Sequence, residues 1–230
     1  MDGKGSGRRP GGLSGPAAGW ILLAGAVGLA SSAIFSSWLR LDRATFVLGH
    51  AILVGAFVAI YVAVTGMRPM VQLRRHWPAG AAVGVLLGAF LAHGVSAQPA
   101  SPRPVGAGLG YALFWLGGVY GAVDALLLNV VPVLVVYGSR PGEDMRRAAA
   151  RLRTGGLALL ASLAATAAYH VGFAEFRGPE LLQPLVGNAI ITAGYLLTGS
   201  PLAAVLAHII MHGAAVLHGM NTTMQLPPHY

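Results

Sequence analysis

Seven stretches of this chain, 16 to 33 residues long, contain no lysine, arginine or glutamate, and Asp124 is the one aspartate inside any of them. The remaining charges fall in the short segments between. A helix needs about 20 apolar residues to cross about 30 Å of hydrocarbon. No water is available there, so a crossing segment must satisfy its own backbone hydrogen bonds, and an α-helix does so. The pattern predicts an all-α fold, a polytopic membrane helix bundle of about seven transmembrane helices. They run over residues 19–39, 44–66, 78–97, 105–137, 155–173, 182–197 and 201–220. Composition agrees, with 55% apolar and 10% charged residues, where a soluble domain carries about 25% charge.

Residues 1–18, with Lys4, Arg8 and Arg9 among glycines and prolines, read as a disordered basic head, and residues 221–230 as a short polar tail. Trp20, Trp38 and Trp77 near span ends fit the interfacial aromatic belt. The apolar run 19–39 is too long for a signal-peptide core and no small-residue cleavage site follows, so it reads as an uncleaved anchor.

Arginine placement orients the bundle. With 105–137 as one span and the head inside, the cytoplasmic segments hold eleven basic residues (Lys4, the head and loop arginines, and the five at 140–153) and the outer segments four, Arg40, Arg43, Arg103 and Arg177. Splitting that span gives seven inside against eight outside. Positive charge concentrates on the cytoplasmic side of membrane proteins, so the single span is preferred, with the N-terminus cytoplasmic and the tail outside.

The net charge of +8 is then a basic rim facing anionic headgroups; membrane lipid is the expected partner and nucleic acid is not. Within 139–153 an interfacial helix is expected, with Arg146, Arg147 and Arg151 near one side. The chain has no cysteine, which excludes disulfides, thiolate metal sites and a cysteine nucleophile. One lysine against fourteen arginines, with abundant Ala and Gly, suggests a GC-rich bacterial genome and hence a multi-pass protein of a bacterial plasma membrane. Glycines at 80, 84 and 88 and at 117 and 121 have the small-residue spacing that lets helices approach closely; packing within the bundle is the preferred reading over a dimer interface, and the oligomeric state is left open.

Polar groups at membrane depth are costly and tend to be functional. Asp2, Asp42, Glu143, Asp144, Glu175 and Glu180 fall in the head or loops, and Asp124 alone lies in a span. A carboxylate there must pair, protonate or bind a cation. His170 lies late in the fifth span, and His208 and His212, four apart in the seventh, share a helical face. His50, His93 and His218 read as helix–helix hydrogen-bonding groups, and His76 and His229 as solvated. At about 1.5 Å per residue, Asp124 and His170 lie roughly 20 Å from the cytoplasmic ends, His212 roughly 16 Å and His208 roughly 10 Å. Histidines and a carboxylate from three helices suit zinc or another divalent metal with a position open for water, and a neighbouring carboxylate can serve as general base.

The sequence from about 168 to 219 resembles the C-terminal core of the CPBP family, the CAAX proteases and bacteriocin-processing (Abi) enzymes, which are intramembrane metalloproteases. His170 with Phe173 after it resembles the family's F-x3-H motif and short loop, Thr166 standing at the phenylalanine. The run YLLTGSPLAAVLAH, ending at His208, resembles the approach to its H-x3-N/D motif, with His212 at the Asn/Asp. The family's first motif, E-E-x3-R, is matched by VDALLLN, placing Asp124 at the first glutamate and Asn129 at the arginine. About the last 125 residues are covered and the first three helices are not.

The resemblance implies a divergent CPBP-like protease that hydrolyses a peptide bond of a membrane-associated peptide or protein in or near the membrane. Asp124, His170, His208 and His212 would be its catalytic and metal-binding set, and Asn129 an outer partner. One acid in place of two glutamates, and no arginine, support an alternative: a non-catalytic membrane protein of the same fold that binds a partner or substrate helix. A third reading has His50, His93, His170 and His212 ligating b-type haem.

Overall fold

The computed structural model describes residues 13–74, 76–140, 144–221 and 224–227. The expectations for residues 1–12, for Glu143 and for His229 lie outside the described residues. Among those described are seven long helices: α1 (Gly15–Trp38), α2 (Arg43–Thr65), α3 (Trp77–Ser96), α4 (Ala107–Gly138), α5 (Ala148–Val171), α6 (Leu182–Thr198) and α7 (Leu202–His218). A short helix, Pro69–Arg74, joins α2 to α3. No strand occurs among the described residues.

The first six, α6 with the 3-10 turn at Pro179–Leu181 that leads into it, are long and apolar enough to cross a membrane. The seventh is shorter. Gly199, at φ 65°, ends α6, Pro201 precedes α7, and Gly219, at φ 157°, closes it after 17 residues, roughly 25 Å of rise. The chain between 105 and 137 forms one helix of 32 residues, not two. No separate interfacial helix occurs among the described residues of that segment: Asp144–Arg147 form a turn into Ala148, so Arg151 and Arg153 ride on the first turns of α5.

Local chemistry sets the ends. Ser14 caps α1, accepting from Ala17 N–H, and so starts it four residues ahead of the expected boundary. Asp42 caps α2 by accepting from the N–H groups of Ala44 and Thr45 and from the Thr45 hydroxyl, which satisfies donors that a helix start leaves free. Those Thr45 bonds hold the exposed Asp42 carboxyl below the usual carboxylate range. A carboxyl depressed by folding adds stability above its unfolded pKa and loses it as pH falls through the folded value. Asp42→Ala is therefore expected to melt below the parent at pH 7, with the gap closing as pH falls through the folded pKa of Asp42; calorimetry over an acid pH series checks this.

The two glycine stripes pack within the bundle and converge on α7. A Cβ at Gly80, Gly84 or Gly88 of α3 would meet Ser200, Ala203 and Leu202 carbonyls, or Ile210. At Gly117 or Gly121 of α4 it would lie 3.0 Å from the backbone of Gly213 or Ile209. The short helix α7 is thus held between α3 and α4 at near backbone contact, and α4 is the most buried of the spans. On the far side α1 packs on α5, where Gly28 faces Tyr169.

Candidate metal centre

Asp124 sits midway along α4, and the winding of that helix matters to what it faces. The helix widens to π winding over Leu113–Val119 and again over Leu126–Val130. On a regular α-helix, residues five apart point about 140° away from each other. An i→i+5 winding brings them nearly into line. Asp124 and Asn129 consequently both face α7, and both are buried.

There they meet the two histidines that helical spacing places on one face. The His208 and His212 rings stack with centroids 5.7 Å apart and planes at 22°. His212 Nε2 lies 3.5 Å from Asp124 Oδ2, and His208 Nε2 lies 2.8 Å from Asn129 Oδ1. Asp124, His208 and His212 offer ligand atoms within 4.8 Å of one another, all three residues being buried. Neither ring nitrogen of His212 has a hydrogen-bond partner, nor does His208 Nδ1. Buried polar atoms left bare are costly, and a cation among them removes that cost. The donor set, one carboxylate and two imidazoles, suits a divalent transition metal with a position to spare.

His50 makes the interhelical bond expected of it, and makes it to this site. Its Nε2 lies 3.1 Å from Asp124 Oδ1, while its Nδ1 lies 3.0 Å from Ser31 Oγ on α1. The ring is flanked by Phe46 and Tyr169, with centroids 5.8 and 5.2 Å away. The Ser31 hydroxyl donates to Gly28 O; its only proton is committed, so His50 Nδ1–H must be the donor to Ser31. One proton then lies between His50 Nε2 and Asp124 Oδ1, and the pair is neutral overall whichever atom carries it. With both ring nitrogens engaged, His50 has none left for haem iron.

The other predicted residues divide. His170, in the last turn of α5, donates Nδ1–H to Thr166 O at 2.8 Å and keeps Nε2 free of that bond. It lines the same cavity as the trio without joining the group of mutually close ligand atoms. His93 stands exposed at that cavity's rim, not between helices. His218 Nε2–H donates to Gln98 O at 2.6 Å, and His76 is an exposed turn residue at φ 50°.

The cavity has a volume of about 430 Å³. Phe173, Ile191 and Met211 are among its apolar walls, and Asp124, His170, His208 and His212 are among its polar groups. Sequence reasoning missed two contributors. Tyr120 borders it, its hydroxyl 2.8 Å from that of Tyr169 and its ring 4.7 Å from His212. The segment after α7 returns to the rim, where Gln98 donates to Gln225 Oε1 and accepts from Met224 N–H, and Arg43 donates to Pro227 O. Leu226, 3% exposed, is packed inward by these bonds. Tyr120, four residues before Asp124, was legible as an i, i+4 neighbour; the returning tail was not. The arrangement pairs a neutralised carboxylate with imidazoles whose free nitrogens are sheltered from bulk water. No family model, no curated protein and no solved structure matches this chain.

Proposed function

We propose that the chain is a multi-pass membrane hydrolase, related in design to the CPBP-type proteases, that cleaves a peptide bond of a membrane-associated substrate. The observation that carries this reading is the convergence of Asp124, His170, His208 and His212 on one largely apolar cavity of about 430 Å³. Asp124 Oδ2, His208 and His212 are the residues that would hold a divalent metal. Bound there, a metal supplies Lewis-acid polarisation of water or of a carbonyl oxygen.

The chain's own groups do the rest. His170 lines the cavity with its Nδ1–H given to Thr166 O, which leaves Nε2 to take a proton from water, and it acts as general base. Tyr120, whose ring packs against His212, donates its hydroxyl to the oxygen on which charge develops. The apolar walls keep bulk water away and receive an apolar stretch of substrate. In this reading α7 completes a seventh crossing, with the N-terminus cytoplasmic; reporter fusions after residue 12 and after residue 221 should then report opposite sides.

The test is metal analysis of detergent-purified protein together with cleavage of quenched apolar peptides in proteoliposomes. The parent should carry near-stoichiometric zinc or a similar metal and cleave, and a His208→Ala, His212→Ala double variant should do neither. A parent with no metal and no cleavage overturns the reading and favours the non-catalytic helix-binding alternative.

A further inference from the structure

Beneath His208 lies a chain of buried polar groups that the hydrolytic reading does not use. Asn129 Nδ2 donates to Asn188 Oδ1 and to Thr192 Oγ1, each at 2.8 Å. Asn188 Nδ2 donates to Ser162 Oγ at 2.8 Å, and the Ser162 hydroxyl donates to Leu128 O. The Thr192 hydroxyl lies 2.8 Å from both Asn188 O and Ser162 Oγ, and can donate to either. Asn129, Ser162 and Thr192 are each 0% exposed and Asn188 is 4% exposed.

The bond from Ser162 ends on a carbonyl, which only accepts, and this fixes the direction of the carboxamide bonds that follow. A carboxamide nitrogen only donates and its oxygen only accepts. Ser162, having given its proton to Leu128 O, accepts from Asn188 Nδ2, so Asn188 presents Oδ1 to Asn129. Asn129 must then present Nδ2 to Asn188 and Thr192, which leaves Oδ1 as the atom facing His208. An oxygen there can only accept, so His208 carries its proton on Nε2.

We infer that this relay from α5 and α6 through α4 locks His208 as the Nε2–H tautomer, so that Nδ1 is the nitrogen it offers to a ligand. The bare, buried state of Nδ1 agrees with that assignment. Asn129, Asn188 and Ser162 are positioning residues in this scheme: each acts on a ligand only through the next. The inference deepens the metal-site reading and rests on it only for the identity of what Nδ1 meets; the tautomer itself is a property of the metal-free chain. Such outer partners typically fix ligand orientation and change metal affinity about 10–100-fold when removed.

The experiment is nitrogen NMR of the full-length, metal-free protein labelled with ¹⁵N-histidine, with His208 assigned by its loss in His208→Gln. The parent should show His208 as the Nε2–H tautomer. Asn129→Asp, whose protonated carboxyl can still donate to Asn188 and accept from His208, should retain it. Asn129→Leu should lose it and weaken cadmium or zinc binding about 10–100-fold. Should Asn129→Leu not fold, the Ser162→Ala, Thr192→Val double variant, which removes both hydroxyls that orient the carboxamides, should broaden His208 into a mixture of tautomers. A parent with the proton on Nδ1, or an unchanged tautomer in both Asn129→Leu and the double variant, overturns the inference. A locked Nε2–H in a protein that binds no metal leaves the relay standing and sinks the metal site, whereas bound metal with an Nδ1–H His208 does the reverse.

Discussion

Asp124→Ala is expected to abolish metal binding and any cleavage, and to destabilise the bundle as well. The carboxylate has two separate tasks: Oδ2 faces His212 and the metal position, and Oδ1 holds His50. Alanine removes the ligand and leaves His50, 0% exposed and flanked by aromatic rings, with an unpaired nitrogen. Removing one partner of a buried pair costs about 3–5 kcal/mol. Asp124→Asn separates the tasks. A carboxamide keeps the volume and a hydrogen bond to His50, so the fold should survive, while affinity falls by more than the roughly 10–100-fold of a lost outer partner. Zinc titration calorimetry and thermal melting of the three proteins check both halves. Parent-like zinc affinity in Asp124→Asn would remove the carboxylate from the site.

The parts of this design that were legible in the sequence are those governed by local chemistry. Uncharged runs long enough to cross lipid announced the helices, because an unpaired charge in hydrocarbon is costly. The five glycines at 80, 84, 88, 117 and 121 announced close helix contacts, and all five face α7 or the turn before it. His208 and His212 were placed on one face by spacing alone, and Asp124 was singled out by being the lone acid at depth.

What was not legible depends on departures from regular geometry or on contacts distant in sequence. A five-residue spacing argues against a common face for Asp124 and Asn129 on an α-helix; π winding over Leu126–Val130 reverses that, and nothing in VDALLLN announces it. His50 belonged to helices outside the family resemblance, and the partner of Asp124 is 74 residues away in sequence. His170 lines the cavity beside the trio without joining its mutually close ligand atoms, with Nδ1–H given to Thr166 O, and its place in the sequence does not tell that from membership.

Gly121→Leu is expected to be strongly damaging, because the atoms it meets cannot rotate away. A Cβ at Gly121 lies 3.0 Å from Ile209 Cα and N and 3.1 Å from His208 C, all backbone of α7. The only relief is separation of α4 from α7. Overpacking costs about 1–3 kcal/mol and occasionally more, which for a chain of this size lowers the melting temperature by roughly 2–4 °C per kcal/mol. Gly118→Leu is the control: on the same helix, a Cβ there meets nothing nearer than Leu113 O at 3.8 Å. It should melt at or above the parent temperature, since a helical glycine is about 0.5–1 kcal/mol poorer than alanine. The two variants also separate packing from chemistry. His208 and His212 ride on the helix that Gly121 draws in, whereas Asp124 and Asn129 ride on the helix that draws it. Moving the helices apart therefore opens the 3.5 Å and 2.8 Å contacts across the seam together. Gly121→Leu is expected to lose metal binding even at temperatures where it remains folded, and Gly118→Leu to keep it. Full metal affinity in a folded Gly121→Leu protein would show that the glycine seam does not set the ligand spacing.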